Sequence, residues 1–188
     1  MTLTPLAIAA LALANERPMH PYEMYQLLLE RREDRMIKVR PGSLYHTVER
    51  LHAAKFLEVT GTAREGNRPE RTTYAMTDAG REALSARIRE LLSQPVREYP
   101  HFPVALDEAH NLPVDEAAAD LTTYADALDE EILEISAVLD AVRARDLPEA
   151  YWIGGAYLLH ITIAQRDWIR TLITRIETKD LTWQPPQA

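Results

Sequence analysis

The segment from Pro41 to Thr77 constrains the fold of this chain more than any other part of its sequence. Residues 41–55 begin with proline, which the first turn of a helix tolerates because no intrahelical hydrogen bond is lost there. At about 100° per residue, Leu44, Val48 and Leu51 fall on one stripe and polar residues fall opposite. The sequence therefore predicts a helix with one face in the core and the other face exposed.

Two short strands joined by an arginine-rich turn are predicted to follow this helix. Residues 56–60 and 72–76 alternate apolar and polar side chains roughly as strands do. The connection between them, residues 61–71, contains the glycine, asparagine and proline residues that favour turns. Its basic residues are Arg64, Arg68 and Arg71. The pattern predicts a β-hairpin with a positively charged tip.

Several motifs in this region resemble the PadR family of transcriptional regulators. They are Pro41-Gly42-Ser43-Leu44-Tyr45 at the start of the helix, Arg68-Pro69-Glu70-Arg71 on the hairpin and Tyr74-Ala75-Met76-Thr77-Asp78-Ala79-Gly80-Arg81 after it. Residues 20–24 resemble the start of the family's second helix, although Pro21 stands where the family often has glycine. The resemblance covers residues 3–93 closely, and it covers the helical remainder through length and layout.

The resemblance implies a mainly α fold with a small β-hairpin wing. An N-terminal winged helix-turn-helix DNA-binding domain is expected over residues 1–94, a linker or hinge over 95–112, and a helical, antiparallel, coiled-coil-like dimerisation domain over 113–188. Prolines interrupt the helical pattern of the linker, in which one or two helical turns are expected. Asp78 is predicted to be the N-cap of the helix that follows the wing.

Charge is distributed unevenly along the 188 residues. The formal net charge is -8, yet residues 1–94 hold 14 basic and 12 acidic residues, and residues 95–188 hold 7 basic and 17 acidic ones. Within residues 31–71 the basic residues number 10 and the acidic ones 6. Positive charge is therefore concentrated around the predicted helix and wing, where it favours phosphate. Taken without this context, the same arginines could be only a solvated face.

The residues and the resemblance together predict a homodimeric regulator, a repressor by family analogy, that reads a pseudo-palindromic operator with the 41–55 helix and the 61–71 wing. Two such helices would meet half-sites about one helical turn apart, near ~34 Å. Serine can bond either base class and arginine can grip guanine, whereas wing residues would hold the backbone or minor groove. The predicted DNA-binding residues are Arg40, Ser43, Tyr45, His46, Arg50, Arg64, Asn67, Arg68 and Arg71.

A regular apolar seam runs along the helix predicted after Pro113. Its members recur at alternating intervals of 4 and 3 residues, the spacing of a heptad seam that lies along another helix. Residues 149–177 form a second predicted helix that is apolar on more than one side, so we expect it to meet its own chain and a second subunit. The predicted dimer-interface residues are Leu121, Leu128, Ile132, Ile135, Leu139, Ile161, Trp168 and Leu172. The seam could equally form a hairpin within one chain.

The second of these helices is also rich in aromatic residues. Family members respond to small hydrophobic or aromatic ligands, among other cues, and aromatics at a dimer junction could line an apolar pocket for such an effector. The candidate effector-binding residues are Tyr151, Trp152, Tyr157, His160 and Trp168. At helical spacing, the same residues could instead be ordinary core or interface residues.

Catalytic motifs are missing from the sequence. It has no cysteine, no Gly-x-Ser-x-Gly elbow and no glycine-rich phosphate loop, so we expect neither an enzyme nor a cofactor. His101 and His110 lie near Asp107 and Glu108, but lone histidines are more often surface residues, and no metal site is predicted.

Localisation and the class of partner are the remaining predictions. The lack of cysteine and of any long apolar run predicts a cytoplasmic protein without membrane contact. An alternative function is a winged-helix module that binds protein without sequence-specific DNA recognition. Arginines on the wing together with an outward Arg50 favour DNA.

Overall fold

The structure, a computed structural model, describes residues 2–63 and 71–183, and for residues 62, 63 and 71 it describes the backbone alone. The chain divides into two compact units, Met1–Arg97 and Glu98–Ala188. The first contains α1 (Pro5–Glu16), α2 (Pro21–Glu30), α3 (Pro41–Ala53), β1 (Leu57–Ala63), β2 (Arg71–Met76) and α4 (Asp78–Ser93). The second contains α5 (His101–Asp107), α6 (Val114–Arg143) and α7 (Ile153–Glu177). The predicted mainly α fold with a β-hairpin wing is confirmed.

The core of the first unit forms around α3. Leu44, Val48 and Leu51 are fully buried, so the stripe predicted from the sequence is confirmed. α1 and α2 pack against this stripe, and Leu11 and Leu28 are among the buried side chains that they supply. Full burial of an aliphatic side chain stabilises a fold by about 1.5–3 kcal/mol, so these contacts fix the rotation of α3 about its own axis.

A left-handed residue ends α3. Lys55 has φ 65°, and its N–H donates to the carbonyl of His52 at 2.9 Å. The N–H of Phe56 donates to the carbonyl of Leu51 at 3.0 Å. This pair of bonds is the Schellman arrangement, which usually places glycine where Lys55 lies. The turn directs the chain from α3 straight into β1.

The wing begins as an antiparallel hairpin. β1 and β2 pair from Leu57 opposite Met76 to Ala63 opposite Arg71, with an irregularity in register at Thr60. Predicted wing residues Arg64, Asn67 and Arg68 lie outside the described residues, and only the backbone of Arg71 is described. Their roles therefore stay predictions.

α4 begins one residue earlier than the sequence predicts. Thr77, not Asp78, is the N-cap: its hydroxyl accepts from the Gly80 N–H at 3.1 Å and donates to the Lys55 carbonyl at 2.7 Å. The prediction was wrong because threonine and aspartate, two residue types that favour the N-cap, are adjacent here. β2 ends at Met76, so Thr77 is the first residue after the strand and takes the N-cap position. A Cβ on Gly80 would lie 2.2 Å from the carbonyl oxygen of Phe56, so this close approach requires glycine.

In the second unit the heptad seam of α6 packs against α7 of the same chain. Most of the predicted dimer-interface residues are thereby covered within one chain, and their contact with a second subunit stays a prediction. Those buried are Leu121, Leu128, Ile135, Leu139 and Leu172. Ile132 is partly buried, whereas Ile161 and Trp168 are exposed. The alternative of an intrachain hairpin is the one that the structure shows.

An ion-pair cluster also joins α6 to α7. The Asp129 carboxylate accepts hydrogen bonds from Arg166, at 2.8 Å, and from Arg170. Arg166 also donates to the carboxylate of Asp167 at 2.8 Å, and the hydrogen bonds to Asp129 and Asp167 raise the pKa of Arg166 above its ordinary value. Asp129 and Arg166 are partly buried, and their pairing favours the alignment in which these turns of the two helices face each other.

Part of the predicted linker is folded. α5 lies within residues 95–112, and the ring of Phe102 stacks on Tyr124 of α6 with 4.4 Å between centroids. Leu106 packs against the apolar core that α6 and α7 form together. The indole N–H of Trp183 donates to the Leu112 carbonyl at 3.0 Å. These contacts make α5 a part of the second unit.

Replacing Lys55 by glycine should stabilise the first unit. A non-glycine residue at positive φ costs about 1–2 kcal/mol, and glycine gives back about half through its more flexible unfolded chain. We therefore expect Lys55→Gly to raise the free energy of unfolding by about 0.5–1 kcal/mol in urea denaturation. Ala53→Gly, two residues earlier at a helical position, is the control and should lower it by a similar amount. Equal losses in the two variants would contradict the assignment of strain to Lys55.

Candidate nucleic-acid interface

The exposed side of α3 carries the polar residues predicted to contact DNA. Ser43, His46 and Arg50 are exposed, opposite the buried stripe. Arg40, at the N-cap, is also exposed. Thr47 donates its hydroxyl to the Ser43 carbonyl at 2.7 Å, which satisfies that hydroxyl inside the helix. The helix thus presents a row of hydrogen-bonding groups on a face whose direction the core determines.

Tyr45 lies at the edge of this face, beside the start of α2. It is 37% exposed, and its ring meets the ring of His20 edge to face with 5.9 Å between centroids. His20 is the N-cap of α2, where its Nδ1 accepts from the Tyr22 N–H at 3.0 Å. In this geometry Nδ1 serves as the hydrogen-bond acceptor of the cap, while the same ring contacts Tyr45. His20 therefore positions Tyr45 against the neighbouring helix.

The role of His20 was not predicted from the sequence. Its signal was present, since the residue precedes Pro21, and proline favours the first position of a helix. Histidine is not among the preferred N-cap residues, however, and the contact with Tyr45 joins residues far apart in the chain. Periodicity within one helix cannot reveal such a contact.

Carboxylates near α2 are matched by arginines. Glu23 accepts a hydrogen bond from Arg17, which lowers the pKa of Glu23. Arg31 donates to both oxygens of Glu16, at 2.5 and 2.8 Å, and lowers the pKa of that carboxyl group. Burial acts in the opposite direction at Glu33, whose pKa it raises. Much of the negative charge on the first two helices is therefore compensated locally.

Arg50 lies close to the N-terminus of α1. A small cleft of about 10 Å³ is lined by Thr2, Thr4 and Thr47 together with Arg50. The hydroxyl of Thr4 accepts from the Ala7 N–H at 3.3 Å, so Thr4 caps α1. The cleft is too small for a ligand larger than water. Its lining shows that the start of α1 lies beside Arg50.

The predicted effector residues do not form one enclosed site within the chain. Trp152 belongs to the connection between α6 and α7: its indole N–H donates to the Leu147 carbonyl at 3.2 Å, and Arg143 covers its ring at 5.0 Å. Tyr151 is 81% exposed in the short 3-10 turn before α7. Tyr157, His160 and Trp168 lie on an exposed side of α7. Their role as effector ligands remains a prediction.

α7 has a second apolar face in addition to the one that packs on α6. Ile153, Tyr157, Ile161 and Trp168 follow one another at intervals that keep them on one side of the helix. All four are between 41% and 67% exposed. We call these four residues the outer face of α7.

His110, one of the histidines considered as metal ligands, makes other contacts. Nδ1 of His110 donates to the Asp107 carbonyl at 2.9 Å, and Nε2 is 3.4 Å from the side-chain amide of Asn111. Across residues 2–63 and 71–183, no three histidine or carboxylate side chains come together in a group able to hold a metal ion. Nor does a helix in these ranges combine the length and hydropathy needed to cross a bilayer.

Sequence comparison identifies one family. Residues 10–86 match the sequence profile of the family described as "Transcriptional regulator PadR-like family". No curated protein matches the chain significantly. The matched segment contains α2, α3, the hairpin and the first half of α4.

Solved structures share the fold. Bacillus subtilis PadR in complex with operator DNA is similar with a TM-score of 0.79 at 16% identity, over 92% of this chain and 99% of that one. For the same protein in complex with p-coumaric acid the TM-score is 0.74 at 16% identity, over 92% of this chain and 98% of that one. For the PadR-like transcriptional regulator BC1756 from Bacillus cereus the TM-score is 0.68 at 14% identity, over 93% of this chain and 99% of that one. At these identities the likeness shows the fold alone.

Proposed function

The chain carries a PadR-like family domain over residues 10–86 within a PadR winged-helix fold, and from this we propose that it is a dimeric, DNA-binding transcriptional regulator. The observation that carries the proposal is the outward face of α3, on which Ser43, His46 and Arg50 are exposed while three side chains behind them are fully buried. A relative of the same fold has been crystallised with operator DNA. Repression is the mode of action that we infer by analogy with the family.

In this proposal α3 enters the major groove. Arg50 would grip guanine through two hydrogen bonds, and Ser43 and His46 would contact neighbouring base edges. Tyr45, held by His20, would place its hydroxyl on phosphate at the rim of the groove. Base readout and positioning are thus assigned to different residues of one helix.

The wing would supply the positioning contacts. β1 and β2 extend to Ala63 and Arg71, and the predicted backbone-binding residues Arg64, Asn67 and Arg68 follow directly in the sequence. Arginines at a hairpin tip suit phosphate or the narrow minor groove, where they fix register without reading much sequence.

A second copy of the chain is the proposed occupant of the outer face of α7. Ile161 and Trp168 were predicted for the dimer interface, and both remain exposed after α6 has covered the other side of the helix. A two-fold dimer would present two α3 helices to a pseudo-palindromic operator. Covering this face would also remove a row of large apolar side chains from water.

The proposed effector is a small hydrophobic or aromatic compound. Bacillus subtilis PadR has been crystallised in complex with p-coumaric acid, a compound of this class. Tyr157 and Trp168 belong to the outer face of α7 and His160 lies beside it, so a second subunit would complete a pocket there. Tyr151 and Trp152 would lie at its end.

DNA binding by the purified chain tests the proposal. We expect tight binding to DNA from upstream of its own coding region, with two subunits per site by solution mass. The logarithm of the binding constant should fall steeply with the logarithm of salt concentration, by about 0.9 for each phosphate contact. Arg50→Ala should weaken specific binding by about 1–3 kcal/mol. If the chain does not bind the upstream DNA above nonspecific background and random-site selection enriches no sequence, a protein-binding winged helix becomes the better description.

Dimerisation can be tested on the outer face of α7. Ile161→Asp should give a monomer in analytical ultracentrifugation, because a charge in an apolar interface loses its hydration without gaining a partner. Leu133→Asp is the matched control, since Leu133 is 70% exposed on α6 and lies outside this face. The control should remain a dimer. A dimeric Ile161→Asp protein would show that the subunits meet elsewhere.

The effector proposal has its own test. Adding p-coumaric acid to the protein–DNA complex should release DNA in a concentration-dependent manner, and Tyr157→Ala should reduce that response without abolishing DNA binding. Tyr99→Ala, at a tyrosine outside α7 that is also mostly exposed, is the control and should respond like the parent. If a panel of small aromatic acids and neutral phenols leaves DNA affinity unchanged, the chain lacks an effector of this class.

A further inference from the structure

Glu49 occupies the outward face of α3 as fully as Arg50 does. The buried stripe defines the inward direction of the helix, and at about 100° per residue His46 lies within about 15° of the opposite direction. Glu49 and Arg50 lie on either side of this outward direction, each about 50° from it. The side chains of His46 and Glu49 are 72% and 71% exposed. A surface that meets His46 and Arg50 therefore meets Glu49 as well.

The fold does not need this carboxylate. The contact between His46 Nδ1 and Glu49 Oε2 measures 4.0 Å, which exceeds the length of a hydrogen bond. An ion pair as exposed as this one stabilises a helix only slightly. Glu49 also lies near the C-terminal end of α3, where a negative charge interacts unfavourably with the helix dipole.

A carboxylate on a DNA-facing helix has a definite electrostatic effect. Phosphates repel it, and so do the hydrogen-bond acceptors of guanine (N7 and O6) and thymine (O4). Cytosine presents only an amino donor at its N4, and adenine presents its N6 amino group beside the repelling N7. Among the four bases, cytosine is the one that a carboxylate meets with attraction and no adjacent acceptor.

We propose that Glu49 is a specificity-determining residue that accepts a hydrogen bond from the N4 amino group of a cytosine in each half-site. The assignment rests on the proposed function, since it requires α3 to lie in the major groove. Glu49 then adds little to overall affinity and instead penalises sites with guanine or thymine at its position. Arg50 selects guanine by attraction on one side of His46, and Glu49 selects cytosine largely by rejecting other bases on the opposite side.

Random-site selection with the full chain tests this role. The parent should enrich a motif with cytosine at one position per half-site, and replacing that cytosine should weaken binding about tenfold. Glu49→Gln should move the preference at this position to adenine, because an amide can bond both N6 and N7. Glu49→Ala should abolish the preference and bind nonspecific DNA more tightly, since a repulsive charge is lost. Glu82→Gln, which removes one exposed charge from α4, is the matched control and should keep the parent motif.

The outcomes separate this inference from the function on which it rests. A parent that enriches no motif overturns DNA recognition and the role of Glu49 together. A parent motif that persists unchanged in Glu49→Gln and Glu49→Ala overturns the role of Glu49 alone. A motif that also changes in Glu82→Gln would show a general effect of charge, and this too contradicts the assignment. Thermal unfolding of each variant confirms that it is folded before selection.

Discussion

The burial of Leu44, Val48 and Leu51 is the constraint on which the rest of the first unit depends. A helix that carries three fully buried side chains on one stripe cannot rotate about its axis without exposing at least one of them. At about 1.5–3 kcal/mol for each side chain, the orientation is fixed against thermal motion. The residues that face outward are therefore decided by residues that lie in the core. The core thus sets the direction of the face that we propose to contact DNA.

Neighbouring elements hold this helix at both ends. At its C-terminal end, the Schellman turn at Lys55 leads into β1, and the Thr77 hydroxyl donates to the Lys55 carbonyl. Gly80 lets α4 approach so closely that its Cα lies against the carbonyl of Phe56. Beside the first turn of α3, His20 contacts Tyr45. The wing, α4 and α2 thus all have a fixed relation to α3.

The sequence predicted what depends on local periodicity and was less successful where a choice depended on distant residues. The buried stripe of α3 and the hairpin followed from spacing alone, and both are confirmed. The N-cap of α4 was misplaced by one residue because Thr77 and Asp78 have similar capping propensity. The heptad seam could not show whether its partner was the same chain, since both arrangements require the same spacing. His20 and α5 function through contacts between separate elements, which a single sequence does not display.

The two faces of α7 connect the proposed dimer with the proposed effector. One face of α7 packs on α6 through an apolar core and the Asp129–Arg166 pair, so the contact between these two helices forms within a single chain. The outer face holds Tyr157 and Trp168, the residues that a second subunit and an aromatic ligand would both contact. A ligand shifts an equilibrium only by its difference in affinity for the two states, and such a difference is expected where ligand and subunit share a surface. Reciprocity then requires operator DNA to weaken ligand binding by the same factor by which the ligand weakens DNA binding.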